Sequence, residues 1–271
     1  MMMLAQRQPK PSPRPARELP LPPTLSIVVP ARDEEHRIGS LLLQVARFLE
    51  SRADSAEVIV VDDGSRDATA AVAEGHAELF DALRVVRLTE PTGKGAALRT
   101  GWLAARGALV LTTDAGMPTP LTAIAQLEPS LRRGCDIVIG ARARSSTGRT
   151  VGTRLARLVS RGFAMIAATL VPTGIRDTQT GFKLLRGPIA RELARLAEVD
   201  GRAFDVEILA LGRQLGMRIG EVEVPARARR KPTWRELVQA PHTIADLLRI
   251  RRRMTRQRTA RALDHGALRG A

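Results

Sequence analysis

The residues with the clearest capacity for chemistry stand just after apolar runs. VVDDGS ends one such run in the adjacent acids Asp62 and Asp63, EPTGKGAALRTG (90–101) sets Lys94 between two glycines, and LVLTTDAGMPTP (109–120) runs out into Asp114. Two neighbouring carboxylates at a strand end can accept hydrogen bonds from a base or ribose. A lysine at a glycine-flanked helix start favours an anion, although the stretch lacks the GxxxxGK[ST] pattern of a P-loop. An aspartate at a strand end suits a divalent cation, but a site for a hard cation ordinarily draws on more than one carboxylate. The next acid after Asp114 is Glu128. Ser65 reads as a turn and helix N-cap residue.

The elements that must position these residues are legible as alternating apolar runs and helical patterns. LSIVVP (25–30), EVIVV (57–61), LRVVRL (83–88), ALVLTT (108–113) and DIVIG (136–140) are continuous rather than alternating, as strands buried on both faces should be. Helical patterns fall between them at about 35–51, 66–80, 94–106 and 120–133. The order predicts an α/β fold, a mostly parallel sheet with helices on both faces and right-handed crossovers. In such a sheet all parallel strands end on one edge, and ligands bind in the crevice outside it. PARDEE (30–35), DDGSRD (62–67) and DAGMPTP (114–120) therefore converge on one crevice.

Composition separates the middle of the chain from its ends. Of the net charge of +15, residues 1–23 carry +3 and residues 225–271 carry +10, leaving a nearly neutral centre. Residues 1–23 hold seven prolines and read as a disordered, partly polyproline basic arm. Residues 226–271 read as an arginine-rich amphipathic helix and tail, with Leu237, Ile244, Leu247 and Leu248 at helical spacings, suited to an anionic membrane surface. Nucleic acid is the competing partner for those arginines, but the chain has no tyrosine, five phenylalanines and two tryptophans, too few stacking platforms for a single-strand binder. No nucleic acid is expected. The longest uncharged stretch in the centre, 162–175, is too short to span a bilayer, so contact with a membrane is expected to be peripheral. Cys135, the single cysteine, reads as a buried structural thiol, and the four scattered histidines exclude a zinc pattern.

LSIVVPARDEE, VIVVDDGSRDAT, GKGAALRTG, the strand ending in TTDA, DIVIGARAR, IRDTQTGFKLL and AFDVEIL follow one another as in family 2 glycosyltransferases of the GT-A fold. Within that family the chain most resembles the dolichyl-phosphate β-glucosyltransferases, and next the dolichyl- and polyprenyl-phosphate mannosyltransferases. The resemblance covers roughly 24–225, and RDTQTGFK followed by AFDVEIL is its most specific part. It implies a single GT-A domain that transfers a hexose, with inversion, from a nucleotide diphosphate sugar to dolichyl or polyprenyl phosphate. UDP-glucose is the favoured donor and GDP-mannose the alternative.

By position, the resemblance implies that Pro30, Ala31, Glu34 and Asp63, with Asp62 beside them, hold the nucleotide sugar. Lys94 would lie near the nucleoside or its phosphates, and Asp114 and Ala115 beside the diphosphate. Arg142 would reach the phosphates or the acceptor, and Asp177, Thr178 and Gln179 would line the reaction crevice. Arg154 and Arg157, on a helix expected over about 151–171, are candidates for the acceptor phosphate. In the family the strand ends in Asp-x-Asp and holds Mg²⁺ or Mn²⁺; here Gly116 takes the second position. Three readings follow: a metal held by Asp114 with diphosphate, water and Thr119; metal-free transfer relying on arginines; or a site that binds nucleotide sugar or lipid phosphate without chemistry. The supply of nucleotide sugars favours the cytoplasmic face of a membrane.

Overall fold

The computed structural model describes residues 22–52, 54–116, 119–142, 165, 169, 174–178, 180–225 and 240–267. The basic arm expected over 1–23, apart from residues 22 and 23, and the helix expected over 151–171, apart from residues 165 and 169, lie outside them. The elements run β1 (Leu25–Ala31), α1 (Glu35–Glu50), β2 (Ala56–Asp62), α2 (Thr69–Glu74), β3 (Leu83–Arg87), α3 (Lys94–Ala104), β4 (Leu109–Thr112), α4 (Ile124–Arg132) and β5 (Ile137–Arg142). Then follow β6 (Lys183–Arg186), α5 (Gly187–Leu196), α6 (Phe204–Gln214), β7 (Ile219–Val224) and α7 (Ala240–Ala267).

The seven strands form one sheet in the order β3-β2-β1-β4-β6-β5-β7. All neighbouring pairs are parallel except those that β6 makes with β4 and β5. From β1 the chain steps outward to β2 and β3, then returns to place β4 on the other flank of β1. The sheet therefore reverses its winding between β1 and β4, where a crevice must open at the strand ends. β6 runs the other way, with Lys183 level with Thr112 at the end of β4. Its beginning, rather than its end, therefore meets the crevice.

The continuous apolar runs are explained by two cores. Val28, Ile59 and Val61 face one side, packing with Trp102, Leu193, Phe204 and Leu209 from α3, α5 and α6. Ile27, Val29, Val58 and Val60 face the other, against Ile38, Leu41, Leu42 and Val45 of α1 and Leu127 of α4. Gly101 lets α3 lie against β1, since a Cβ there would overlap Val28. Cys135 is half-buried rather than buried, its sulfur beside Gly220 of β7.

The C-terminal helix is part of this body. Leu247 and Ile250 are buried in the same core as α6, while Leu248 is 40% exposed. Arg253 ties the helix down, reaching the buried Glu207 at 3.3 Å, Glu198 at 3.2 Å and the Leu196 carbonyl at 3.0 Å. Burial holds the Glu207 carboxyl above its ordinary range, despite hydrogen bonds from the backbone N–H groups of Glu198 and Val199 and the charge of Arg253. Part of the apolar face expected to meet a membrane is thus committed to the protein interior. Leu247→Ala is expected to lower unfolding stability by about 2–5 kcal/mol, measured by urea denaturation of the full chain; a surface-lying helix would give a change close to zero.

Candidate active site

The loops after β1 and β2 are stitched together before they hold anything else. Asp33, with φ 52°, donates its N–H to Ser65 Oγ at 3.0 Å and accepts from Arg66 N–H at 3.1 Å. Glu34 N–H reaches Thr69 Oγ1 at 2.7 Å, and Glu35 N–H reaches Asp67 Oδ2 at 3.1 Å. Ser65 is therefore a bridge between loops, not the cap of α2, which begins only at Thr69. Its hydroxyl and N–H both bond to Asp62 Oδ1.

The two adjacent acids part company. Asp62 is fully buried and faces Ser65, with Arg87 Nε 3.4 Å from its other oxygen. It stands behind the crevice, outside its lining. Asp63 lines the crevice, yet its Oδ1 accepts the N–H groups of Thr92 at 2.8 Å and Gly93 at 2.9 Å. Farther along α3, the N–H groups of Gly95 and Ala96 bond to the Asp200 carbonyl at 2.7 and 3.2 Å. The start of α3 does attract acceptors, as its geometry predicts, but they are the protein's own, the Asp63 carboxylate and the Asp200 carbonyl. The Lys94 side chain, by contrast, extends to the cleft. The flanking glycines permit contact with 199–204: a Cβ at Gly93 would overlap the Asp200 carbonyl, and one at Gly95 the Val199 carbonyl.

Lys94 is the centre of a row of alternating charges. Its Nζ lies 3.0 Å from Asp114 Oδ1 and 3.4 Å from Asp205 Oδ2. On the interior side, Lys183 Nζ lies 2.6 Å from Asp205 Oδ1 and also donates to the Thr180 carbonyl. Exposure falls along the row, from 34% for the Asp114 side chain to 1% for Lys183. Burial pulls the Lys94 ammonium down, but the charges of Asp114 and Asp205 outweigh it and hold it above the ordinary lysine value. Burial likewise pushes the Asp205 carboxyl up, and Lys183 and Lys94 outweigh it and hold it below the usual carboxylate range. For the buried Lys183–Asp205 pair, removing one partner costs about 3–5 kcal/mol because an uncompensated charge remains. The Lys183–Asp205 end of the row is therefore fixed in charge and in place.

Lys94 and Asp114 floor a cleft of about 760 Å³ at the strand ends, with Asp205 and Lys183 behind its lining. Pro30, Ala31, Glu34, Asp63, Lys94, Asp114 and Ala115 all line it, as does Gly116. Asp177 does not; its N–H bonds to Glu221 Oε1 of β7 at 3.0 Å. Thr119 is buried and also outside the lining. Gln179, Arg154, Arg157 and the Arg142 side chain lie outside the described residues. Sequence reasoning left out Asp205, Lys183 and Gly181, although all three fall within the quoted TGFK and AFDVEIL motifs. It also left out Arg202, which lines the cleft close enough to depress Lys94 by charge repulsion, and His242, Thr243 and Asp246, by which α7 forms one wall.

A family profile, Glycosyl transferase family 2, matches residues 26–193. The chain belongs to this family. A dolichyl-phosphate beta-glucosyltransferase of Drosophila melanogaster is 39% identical over 215 residues, covering 74% of this chain and 66% of the relative. One of Trichomonas vaginalis is 31% identical over 259 residues, covering 89% and 74%. The chain thus spans about two thirds of the length of the first of these relatives. Glucosyl-3-phosphoglycerate synthase of Mycobacterium tuberculosis, solved with Mn²⁺, uridine diphosphate and glucosyl-3-phosphoglycerate, superimposes with a TM-score of 0.63 at 25% identity over 84% of this chain and 80% of that one. The fold is that of a GT-A member of glycosyl transferase family 2, with β6 as its one reversed strand.

Among the described residues no group of three or more His, Cys, Asp or Glu side chains is placed to hold a metal. Asp114 stands beside Gly116, around which nothing lies within 4 Å of where a Cβ would stand, and the other acids of the lining, Asp33, Glu34, Asp63 and Asp246, form no metal-holding group with it. That arrangement fits a hard cation held by one carboxylate and otherwise by ligand phosphates and water, a coordination Mg²⁺ tolerates. Asp114 is itself seated against Gly181, where a Cβ would overlap its carboxyl group. Gly181→Ala is expected to push Asp114 off Lys94 and to lower kcat/KM for sugar transfer by about a hundredfold, the usual penalty for a displacement near 1 Å. Melting temperature, measured alongside, separates this from loss of the fold.

Proposed function

We propose that the protein transfers glucose from UDP-glucose to dolichyl or polyprenyl phosphate, inverting the anomeric carbon, at the cytoplasmic face of a membrane. The observation that carries this reading is the Lys94–Asp114 pair on the floor of the strand-end cleft, in a chain whose relatives include dolichyl-phosphate beta-glucosyltransferases. The nucleoside end of the donor is assigned to Pro30, Ala31 and Glu34, in the loop pair locked by Ser65, Thr69 and Asp67. The diphosphate is assigned to Lys94 and Arg202, the two cations that approach each other at the cleft floor.

Cleaving the anomeric bond builds negative charge on the departing diphosphate, so cations fixed there in advance lower the barrier. Lys94 is suited to that task because Asp205, itself paired with Lys183, keeps it compensated without the ligand's help. The acceptor phosphate is ionised near neutral pH and needs positioning more than deprotonation; Arg142, Arg154 and Arg157 are proposed for it, with Asp177 and Gln179 nearby in the chain. Asp114 would hold Mg²⁺ or Mn²⁺, which supplies charge neutralisation of the diphosphate when bound.

Peripheral attachment is assigned to α7. No helix among the described residues is long and apolar enough to cross a membrane. Outward from the buried Leu247 and Ile250 stand the exposed Arg249, Arg251, Arg252 and Arg256 with Leu248, and each arginine near an anionic surface contributes roughly 1 kcal/mol.

Radiolabelled UDP-glucose, with GDP-mannose in parallel, is to be incubated with a polyprenyl phosphate in detergent. Lipid-linked glucose that disappears with chelator is the expected product; product from GDP-mannose alone, or binding of nucleotide sugar with no product from either, would sink the proposal. Gly116→Asp places a second carboxylate in open space and is expected to lower the Mn²⁺ concentration for half-maximal transfer by about tenfold, in keeping with one added charged ligand worth about 1.5–3 kcal/mol at most.

A further inference from the structure

Asp114, the cleft carboxylate that follows β4, is not free to take a cation. Asp114 Oδ1 holds the Lys94 ammonium at 3.0 Å, on the same oxygen set that a metal would need. We propose that Lys94 is an exchangeable cation: it occupies Asp114 when the cleft holds no donor, and moves to the donor's diphosphate when a divalent cation takes Asp114. This rests on the donor class proposed above and adds a rule of assembly to it. Cation and diphosphate each bind weakly alone and strengthen each other.

Three observations carry the exchange. Lys94 has a second carboxylate partner, Asp205, at 3.4 Å, so leaving Asp114 does not leave the ammonium without a counter-charge. Asp205 is in turn kept by Lys183 at 2.6 Å, so it remains compensated wherever Lys94 points. Arg202 adds positive charge around Lys94, which makes a third cation unwelcome until an anion arrives. A dication approaching Asp114 in the empty cleft must displace one positive charge and face another. A diphosphate reverses both terms, because it draws Lys94 away and contributes its own negative charge. By linkage, whatever factor the diphosphate adds to cation affinity, the cation adds to diphosphate affinity.

A lysine that only built the site would, when removed, weaken every ligand. A lysine that occupies the metal's seat must, when removed, strengthen metal binding in the absence of donor. Lys94→Gln is therefore compared with the wild-type full chain for binding of Mn²⁺ alone, read as loss of the free-ion electron paramagnetic resonance signal, and of UDP alone, read by calorimetry. Lys183 continues to neutralise Asp205 in this variant, and circular dichroism confirms the fold. The expected result is Mn²⁺ binding at least about fivefold tighter in Lys94→Gln, the lower end of the usual range of coupling between sites, together with weaker UDP binding. Lys94→Arg, which keeps the charge, is expected to stay within twofold of wild type for Mn²⁺ alone. Mn²⁺ binding by Lys94→Gln that is equal to wild type, weaker, or absent in both overturns the exchange. The Mn²⁺ arm needs no nucleotide, so failure of UDP to bind wild type would count against the donor assignment, while failure of the Mn²⁺ shift counts against the exchange alone.

Discussion

Four charges that cannot all reach water organise the reactive end of this protein. Lys183, Asp205, Lys94 and Asp114 alternate from the interior to the cleft floor, and buried charges persist only when paired with good geometry. Each member comes from a different element: β6, α6, α3 and the end of β4. Satisfying the row therefore determines where those elements must stand relative to one another. Gly181 leaves room for the Asp114 carboxyl, and Gly93 and Gly95 let the start of α3 approach 199–204, bringing Asp205 within reach of Lys94. The aromatic contact between Trp102 and Phe204, with centroids 5.4 Å apart, closes α3 on α6 from the apolar side.

The reversal of β6 gives that row its place. A parallel strand beside β4 would deliver its final residue to the cleft and begin at the far edge. The antiparallel strand begins at the cleft instead, so the segment leading into it, Thr180 and Gly181, is brought beside Asp114. At the opposite edge of the sheet, another buried acid, Glu57, is closed off by Ser26 Oγ, Arg106 N–H and Arg84. Burial pushes its carboxyl up, but those partners outweigh it and hold it below the usual range. One edge has consumed its charge in structure; the other leaves charged side chains, Asp114, Lys94 and Arg202 among them, turned toward a cleft.

The first half of the fold could be read from the chain because strands buried on both faces are written as uninterrupted apolar runs. β1 through β5 fall within a residue or two of the apolar runs that announce them. The second half was harder for definite physical reasons. β6 has only four residues, and its buried Lys183 looks like a surface residue until its partner, twenty-two positions on, is known. The site shows the same division. Lys94 and Asp114 stand out locally, whereas the role of Asp63 depends on which backbone donors fold back onto it, and Asp62 shares its sequence context without sharing the cleft. The wall contributed by α7 has no local signal at all, since His242, Thr243 and Asp246 acquire meaning only when Leu247 and Ile250 dock the helix.

That docking links the two ends of the proposed reaction. A single helix faces the cleft through His242, Thr243 and Asp246, the core through Leu247 and Ile250, and solvent through exposed arginines. An anionic surface drawn to those arginines would therefore lie at a set distance and orientation from the donor site, without a hinge between them. A phosphate carried on a lipid moves in two dimensions at a fixed height. For such an acceptor, a cleft held rigidly against the surface replaces part of the orientation that a soluble substrate would have to find by diffusion, and converts that restriction into effective concentration at the reacting centre. Arg253, which joins this helix to the buried Glu207, belongs to the body of the fold for the same reason: it maintains the angle between the surface proposed to gather the acceptor and the cleft proposed to hold the donor.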